Sequence, residues 1–233
     1  MSKNWKFAYR SFYYQDLEDI PNIVLLEKET ALLVIDLQNV YLRDDPNLPR
    51  SQREQKEYEK WLPFFRRMRT IVLPAVQKLL AEFRNRKLRI IFARIACLTP
   101  DGSDRSLSQR RPGFNNLLLP AWEEPSQILP EVAPLPQEIV LCKTTDSALT
   151  GTNLRLLLHN LGIRNVVVCG IFTDQCVSST VRSLADESFN VVVAEEGCAA
   201  GTDELHHKEL EIINNIYCQV MSVEDILEAL HPN

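Results

Sequence analysis

Several short stretches of the chain are apolar at consecutive rather than alternate positions. Ala-Leu-Leu-Val-Ile-Asp (31–36), Arg89 to Ile95, Glu138–Cys142, Asn165–Gly170, Asn190–Ala194 and Cys218–Met221 have this form. Unbroken runs of this length predict strands buried on both faces. Between them the apolar residues fall at helical spacing. Ile71, Val72, Ala75, Val76, Leu79, Leu80 and Phe83 form one stripe, and Pro74 inside it predicts a kink or a later start. Leu154, Leu157, Leu158 and Leu161 form a second, stopped by Gly162. Val177, Val181, Leu184 and Ala185 predict a helix over Cys176–Ser188. Asp203–Ile216 reads as another, and Ser222 caps a last one with Glu224 and Asp225 in its first turn. Tyr41 to Arg69 is charged and reads as irregular. Residues 99–137 hold prolines and Asp-Gly and read as a long excursion, a lid or an interface.

Strands alternating with helices predict an α/β fold, a three-layer αβα sandwich with a mainly parallel, Rossmann-like sheet of about six strands. A length of 233 residues suits one large domain. That domain is expected over 31–233. Residues 1–30 form an arm carrying Trp5, Phe7, Tyr9, Phe12, Tyr13 and Tyr14. Two readings of the arm stay open: packing on its own domain, or contact with another subunit.

Charge narrows the function classes. With 26 basic residues against 31 acidic ones, the net charge of −5 argues against a general nucleic-acid binder. No run approaches a membrane span, and the first thirty residues lack the apolar stretch of a secretory signal. The expected compartment is therefore the cytoplasm, with no membrane partner. The six cysteines include no C-x-x-C pair, and in that compartment they are free thiols.

In a parallel α/β sheet, ligands bind at the carboxyl ends of the strands. Asp36 ends the first strand. Lys143 follows the strand ending at Cys142. Cys176 follows a five-residue turn after Gly170 and opens the next helix. Taken singly, Asp36 reads as a helix cap, Lys143 as a solvated strand end and Cys176 as a buried thiol. Together they bring a carboxylate, an ammonium and a thiol to one sheet edge. A helix N-terminus and a nearby ammonium both lower a thiol pKa, so a thiolate nucleophile is expected. Asp36 would take the thiol proton and return it to a leaving amine. The turn before Cys176 would offer N–H groups to an oxyanion. The four histidines, His159, His206, His207 and His231, fall on or beside predicted helices, against a Cys–His dyad and against catalytic zinc. No G-x-G-x-x-G, P-loop or G-x-S-x-G occurs, so no nucleotide cofactor is expected.

Four stretches carry a resemblance: Ala-Leu-Leu-Val-Ile-Asp-Leu-Gln-Asn (31–39), Lys-Thr-Thr-Asp-Ser-Ala-Leu-Thr-Gly-Thr-Asn-Leu (143–154), Val-Val-Val-Cys-Gly-Ile-Phe-Thr-Asp-Gln-Cys-Val-Ser-Ser-Thr-Val-Arg (166–182) and Glu-Glu-Gly-Cys-Ala-Ala-Gly-Thr (195–202). In order and spacing the chain resembles the isochorismatase-like cysteine hydrolases, over about residues 30–228. That superfamily includes nicotinamidase, N-carbamoylsarcosine amidase, ureidoacrylate amidase and biuret hydrolase. The resemblance implies an Asp–Lys–Cys triad at Asp36, Lys143 and Cys176. It implies a non-proline cis peptide joining Ile171 to Phe172, and an oxyanion hole from the backbone N–H groups of Phe172 and Cys176. It also implies a homo-oligomer, dimer or tetramer, acting on a small molecule.

The chain departs from the common first motif, because Val40 and Tyr41 follow Asn39. The metal-binding histidines of the nicotinamidase branch are absent after this strand, so no metal is expected. Thr-Asp-Gln-Cys-Val and Ala-Ala-Gly-Thr look most like the branch acting on small carbamoyl or ureido compounds, biuret among them. The alternatives are vinyl-ether hydrolysis and a nicotinamidase-like amidase. Candidate substrate contacts are Tyr41, Phe172, Arg94 and Gln219. Arg94 would bind a carboxylate or pair with a structural acid. Gln219, at the last strand, would bind a ureide or stand exposed.

Overall fold

A computed structural model describes residues 7–17 and 20–232. Its centre is a six-stranded sheet of β2 (Thr30–Ile35), β3 (Arg89–Ile95), β4 (Ile139–Lys143), β5 (Asn165–Ile171), β6 (Asn190–Ala199) and β7 (Gln219–Met221). Every pairing in it is parallel, in the order β4-β3-β2-β5-β6-β7. This is the expected sandwich with its Rossmann-like strand order. Two short strands, β1 (Leu25–Leu26) and β8 (Leu230–His231), pair beside it, and Leu25 is already in the core.

The unbroken apolar runs serve two cores, because successive residues of a strand face opposite ways. Leu32, Val34, Ile90 and Phe92 pack under α2 (Leu73–Asn85) and α7 (Val223–Ala229). Ala31, Leu33, Ile35 and Ile91 pack under α4 (Leu154–Asn160), α5 (Ser178–Asp186) and α6 (Asp203–Ile213).

The segment expected to be irregular is instead a 16-residue helix, α1 (Gln52–Arg67). Ser51 and Glu54 close a reciprocal capping box at its start. A charged outer face hid a short inward stripe of Trp61, Phe64 and Phe65. Pro74 produces no break. The chain widens into a π turn at Met68–Val72, where Leu73 N–H donates to Met68 O, and Pro74 then sits in the first turn of α2.

Two strand ends also differ from expectation. β6 runs on to Ala199 through Glu195 and Glu196, with a register shift against β5 near Val168 and Gly170. Charged residues at a bulge masked that continuation. α6 stops at Ile213, where the buried Asn214 turns inward and donates to Ala8 O and Tyr9 O. The arm, from residue 7 onward, is thus tied to its own domain at that point. Trp5 lies outside the described residues, and Phe12 and Tyr13 are exposed.

Strand order reverses between β2 and β5, the position that opens a crevice at the carboxyl edge. Gly170 is required there. A Cβ on it would lie 2.0 Å from Ile35 O, and its φ is +125°. Any side chain at this position would therefore collide with the backbone of β2 where the site begins.

Candidate active site

Asp36 leaves β2 with φ +52°, a left-handed conformation that costs an ordinary residue about 1–3 kcal/mol. The bend aims its carboxylate across the edge of the sheet. Oδ1 accepts from Ile95 N–H at 2.9 Å, and Oδ2 lies 2.8 Å from Lys143 Nζ. Lys143, the last residue of β4, also reaches Thr145 O and the Cys176 sulfur, both at 3.2 Å. The structure thus brings Asp36, Lys143 and Cys176 together, at 2%, 0% and 4% exposure.

Cys176 does not open a regular helix. A second π turn, Thr173–Val177, precedes α5, with Gln175 N–H and Val177 N–H both donating to Phe172 O. The peptide joining Ile171 to Phe172 is cis. Thr173 is held from below by His206 Nδ1 at 2.8 Å, and His206 Nε2 contacts Arg67 at 2.8 Å. Burial drives the His206 pKa down to about 3, so it is a neutral bridge between α1, α6 and the nucleophile turn.

The electrostatics correct one expectation. Burial pushes the Cys176 thiol well above its ordinary value, and Asp36 adds to that rise, while the Lys143 ammonium only opposes it. Burial also raises the Asp36 carboxyl against the pull of Lys143. For Lys143, burial works downward, but the charges of Asp36 and Cys176 outweigh it and hold the ammonium above its usual range. Among the other thiols, burial raises Cys169, Cys198 (to about 12) and Cys218, and Cys142 on β4 is half-buried.

Beside the triad lies a cavity of about 210 Å³ walled by Tyr41, Trp61, Phe65, Phe114, Leu117 and Phe172. Tyr41 meets Phe172 edge-on at 5.4 Å, and Phe114 stacks on Trp61 at 5.3 Å. Exposed Arg43 lines the cavity as well. Burial, then the charges of Asp36, Cys176 and Asp146, push the Tyr41 hydroxyl well above its ordinary value, so it stays protonated. Two of the sequence candidates, Tyr41 and Phe172, therefore face the cavity.

The other two do not. Arg94 donates to Ser126 O, Ser126 Oγ and Ala121 O, which makes it an anchor of the returning 120–129 segment. Gln219 begins β7, at the edge away from the triad, and binds Ile23 N–H and Pro21 O. Sequence reading missed Trp61, Phe65 and Phe114, which no local pattern connects to the site. It also missed Asp146, whose Oδ1 lies 3.9 Å from the Cys176 sulfur. That residue stood in a quoted motif, three positions after Lys143. Among the described residues no three His, Cys, Asp or Glu side chains gather as metal ligands.

The isochorismatase domain model matches residues 30–225, which takes in both strand ends and the nucleophile turn. The chain belongs to the isochorismatase family. The family protein YecD of Escherichia coli O157:H7 is 36% identical over 114 residues, 46% of this chain and 61% of that one. A ureidoacrylate amidohydrolase, RutB of Pseudomonas savastanoi pv. phaseolicola, is 32% identical over 125 residues, 53% of this chain and 51% of that protein. The match thus spans under two thirds of either protein. Among solved structures, an isochorismatase family protein of Burkholderia thailandensis aligns with a TM-score of 0.70 at 28% identity, covering 90% of this chain and 99% of that one.

Proposed function

We propose that this isochorismatase-family chain is a cysteine amidohydrolase. It would cleave a C–N bond of a small linear amide or ureide through a thioester, releasing ammonia or an amine. The observation that carries this reading is the buried ammonium of Lys143, 3.2 Å from a thiol and 2.8 Å from a carboxylate. Similarity to a ureidoacrylate amidohydrolase supports it.

The reaction follows from the charges. The thiol proton passes to Asp36 as sulfur attacks the carbonyl carbon, and Lys143 offsets the negative charge throughout. The carbonyl oxygen becomes an oxyanion facing the N–H groups of Phe172 and Cys176. Asp36 then protonates the departing nitrogen, the C–N bond breaks, and a thioester remains. Water, losing a proton to Asp36, hydrolyses the thioester and restores the thiol.

The aromatic walls bear on the substrate. At about 210 Å³ the cavity is smaller than the roughly 300 Å³ at which drug-sized pockets begin. Within the amide and ureide class it suits a carbamoyl group carrying an apolar substituent better than biuret, whose substituent is flat but wholly polar. The test is ammonia release from biuret, triuret, N-carbamoyl amino acids, ureidoacrylate, nicotinamide and simple amides, with wild type and Cys176→Ala. At least one substrate is expected to turn over and to lose at least about 10⁴-fold in the variant. Full turnover by Cys176→Ala would end the proposal.

A further inference from the structure

Asp146 and Gln109 form a pair beside the reacting sulfur that the Asp–Lys–Cys chemistry does not use. Asp146 sits in the loop after β4, and its Oδ1 lies 3.9 Å from the Cys176 sulfur. Gln109 comes from the long excursion, on the short helix α3 (Leu107–Arg110), and is 1% exposed. Its Nε2 donates to the same Asp146 Oδ1 at 3.4 Å. Its Oε1 is buried and has no hydrogen-bond partner. The amide orientation follows from the neighbour, since turning it over would set two oxygens against each other.

The excursion is braced to present this pair. Ser106 N–H bonds to Thr144 O, beside Lys143. Arg105 donates to Gly102 O, Gln109 O and Leu117 O, closing the segment on itself. A buried acceptor with no donor is rare unless a ligand or water supplies one. Here it stands next to a carboxylate that is itself acceptor-only when ionised.

We infer that Asp146 and Gln109 form an N–H recognition subsite for the substrate's carbamoyl or amide nitrogen. The inference rests on the amidohydrolase reading. A carbonyl carbon bound to the Cys176 sulfur holds its nitrogen two bonds from that sulfur, and the oxyanion is turned toward backbone N–H groups. Asp146 then lies within hydrogen-bonding reach of the nitrogen. Two acceptors match a group with two hydrogens, an –NH₂. They repel a carboxylate or an ester oxygen placed there. The subsite would read the nitrogen of the scissile group, while the aromatic cavity accepts what it is attached to.

The test uses Cys176 alkylation, which needs no turnover. Iodoacetamide carries an –NH₂ and methyl iodoacetate does not. In both, an S–C bond forms, the C–I bond breaks with loss of iodide, and the thiol proton is released to a base. Rates at Cys176 are read by mass spectrometry of its peptide, each divided by the rate with free cysteine. Wild type is expected to favour iodoacetamide at least about tenfold, since a site built for N–H donors rejects analogues lacking them. Asp146→Ala and Gln109→Leu are expected to bring the ratio to within about threefold of unity. Glu228→Gln, remote on α7, is the control. If Asp146→Ala fails to fold, Asp146→Asn and Gln109→Leu carry the test. Equal reagent preference in wild type, no reaction with either, or a preference that survives both substitutions overturns the inference. A silent ammonia panel together with a preserved alkylation preference would instead sink the amidohydrolase reading and leave the subsite standing.

Discussion

On one side of Cys176 stand Asp36 and Lys143, almost wholly removed from solvent. On the other stand Tyr41, Phe172, Trp61 and Phe114, stacked and tilted around a small cavity. The first wall is costly: isolated buried charges lose several kcal/mol of hydration each, and they persist only as a mutually paired set. The second is held by apolar burial and ring geometry, in which each contact contributes about a kcal/mol. The polar wall comes from strand ends, whose positions the sheet dictates. The aromatic wall is mixed: Tyr41 and Phe172 follow β2 and β5, while Trp61 on α1 and Phe114 on the excursion hang outside the sheet. The chemistry is therefore cooperative and intolerant of change, while the fit to substrate is distributed and tunable.

Substitutions should separate the two walls by size of effect. The largest is Lys143→Met, which leaves the Asp36 carboxylate buried with no counter-charge. Stability should fall by about 3–5 kcal/mol in urea unfolding, with turnover lost. A loss under about 1 kcal/mol would mean that the pair is solvated. The linked pH effect has a definite sign. The folded pKa of Lys143 lies above the ordinary 10.5, so its contribution is full below that value and fades as pH rises through the folded one.

Next in size is Asp36→Asn, which keeps the left-handed bend that Asn tolerates but removes the base. A fall of about 10²–10⁴-fold in kcat/KM is expected. In wild type the acid limb of kcat/KM should sit above the ordinary carboxylate value of 3.8, because burial raises Asp36 and the rate needs its ionised form. That limb should vanish in the Asn variant. A limb at or below 3.8 would assign the base elsewhere.

The smallest effect belongs to the other wall. Phe114→Ala removes one ring pair on Trp61 and should raise KM by about tenfold or less, with kcat within about threefold. A collapse of kcat instead would mean that the aromatic wall positions the reacting bond as well as the substituent.

The same division explains what was readable from sequence. Asp36, Lys143 and Cys176 could be placed because a parallel sheet sends the ends of its strands to one edge, whatever lies between them. Gln219 fails by the same rule: it begins its strand rather than ending it. Trp61 and Phe114 could not be placed, because their meeting depends on packing between segments more than fifty positions apart. α1 was within reach, since Ser51 and Glu54 carry the capping signature, but charges outnumbered its inward stripe. The raised thiol was hidden too. Proximity to an ammonium can be guessed from position, but complete desolvation appears only once the chain is folded.

The grading of the thiols makes a spectroscopic handle available. Cys169, Cys198 and Cys218 are shut in the core, whereas Cys142 is partly open on the outermost strand. It adjoins Lys143 in sequence, and neighbouring strand residues point to opposite faces. In the Cys176→Ala variant, a single fluorophore on Cys142 would sit behind the ammonium rather than in the cavity. Its emission would then follow the occupancy of the site in real time, without competing for the space that a substrate fills.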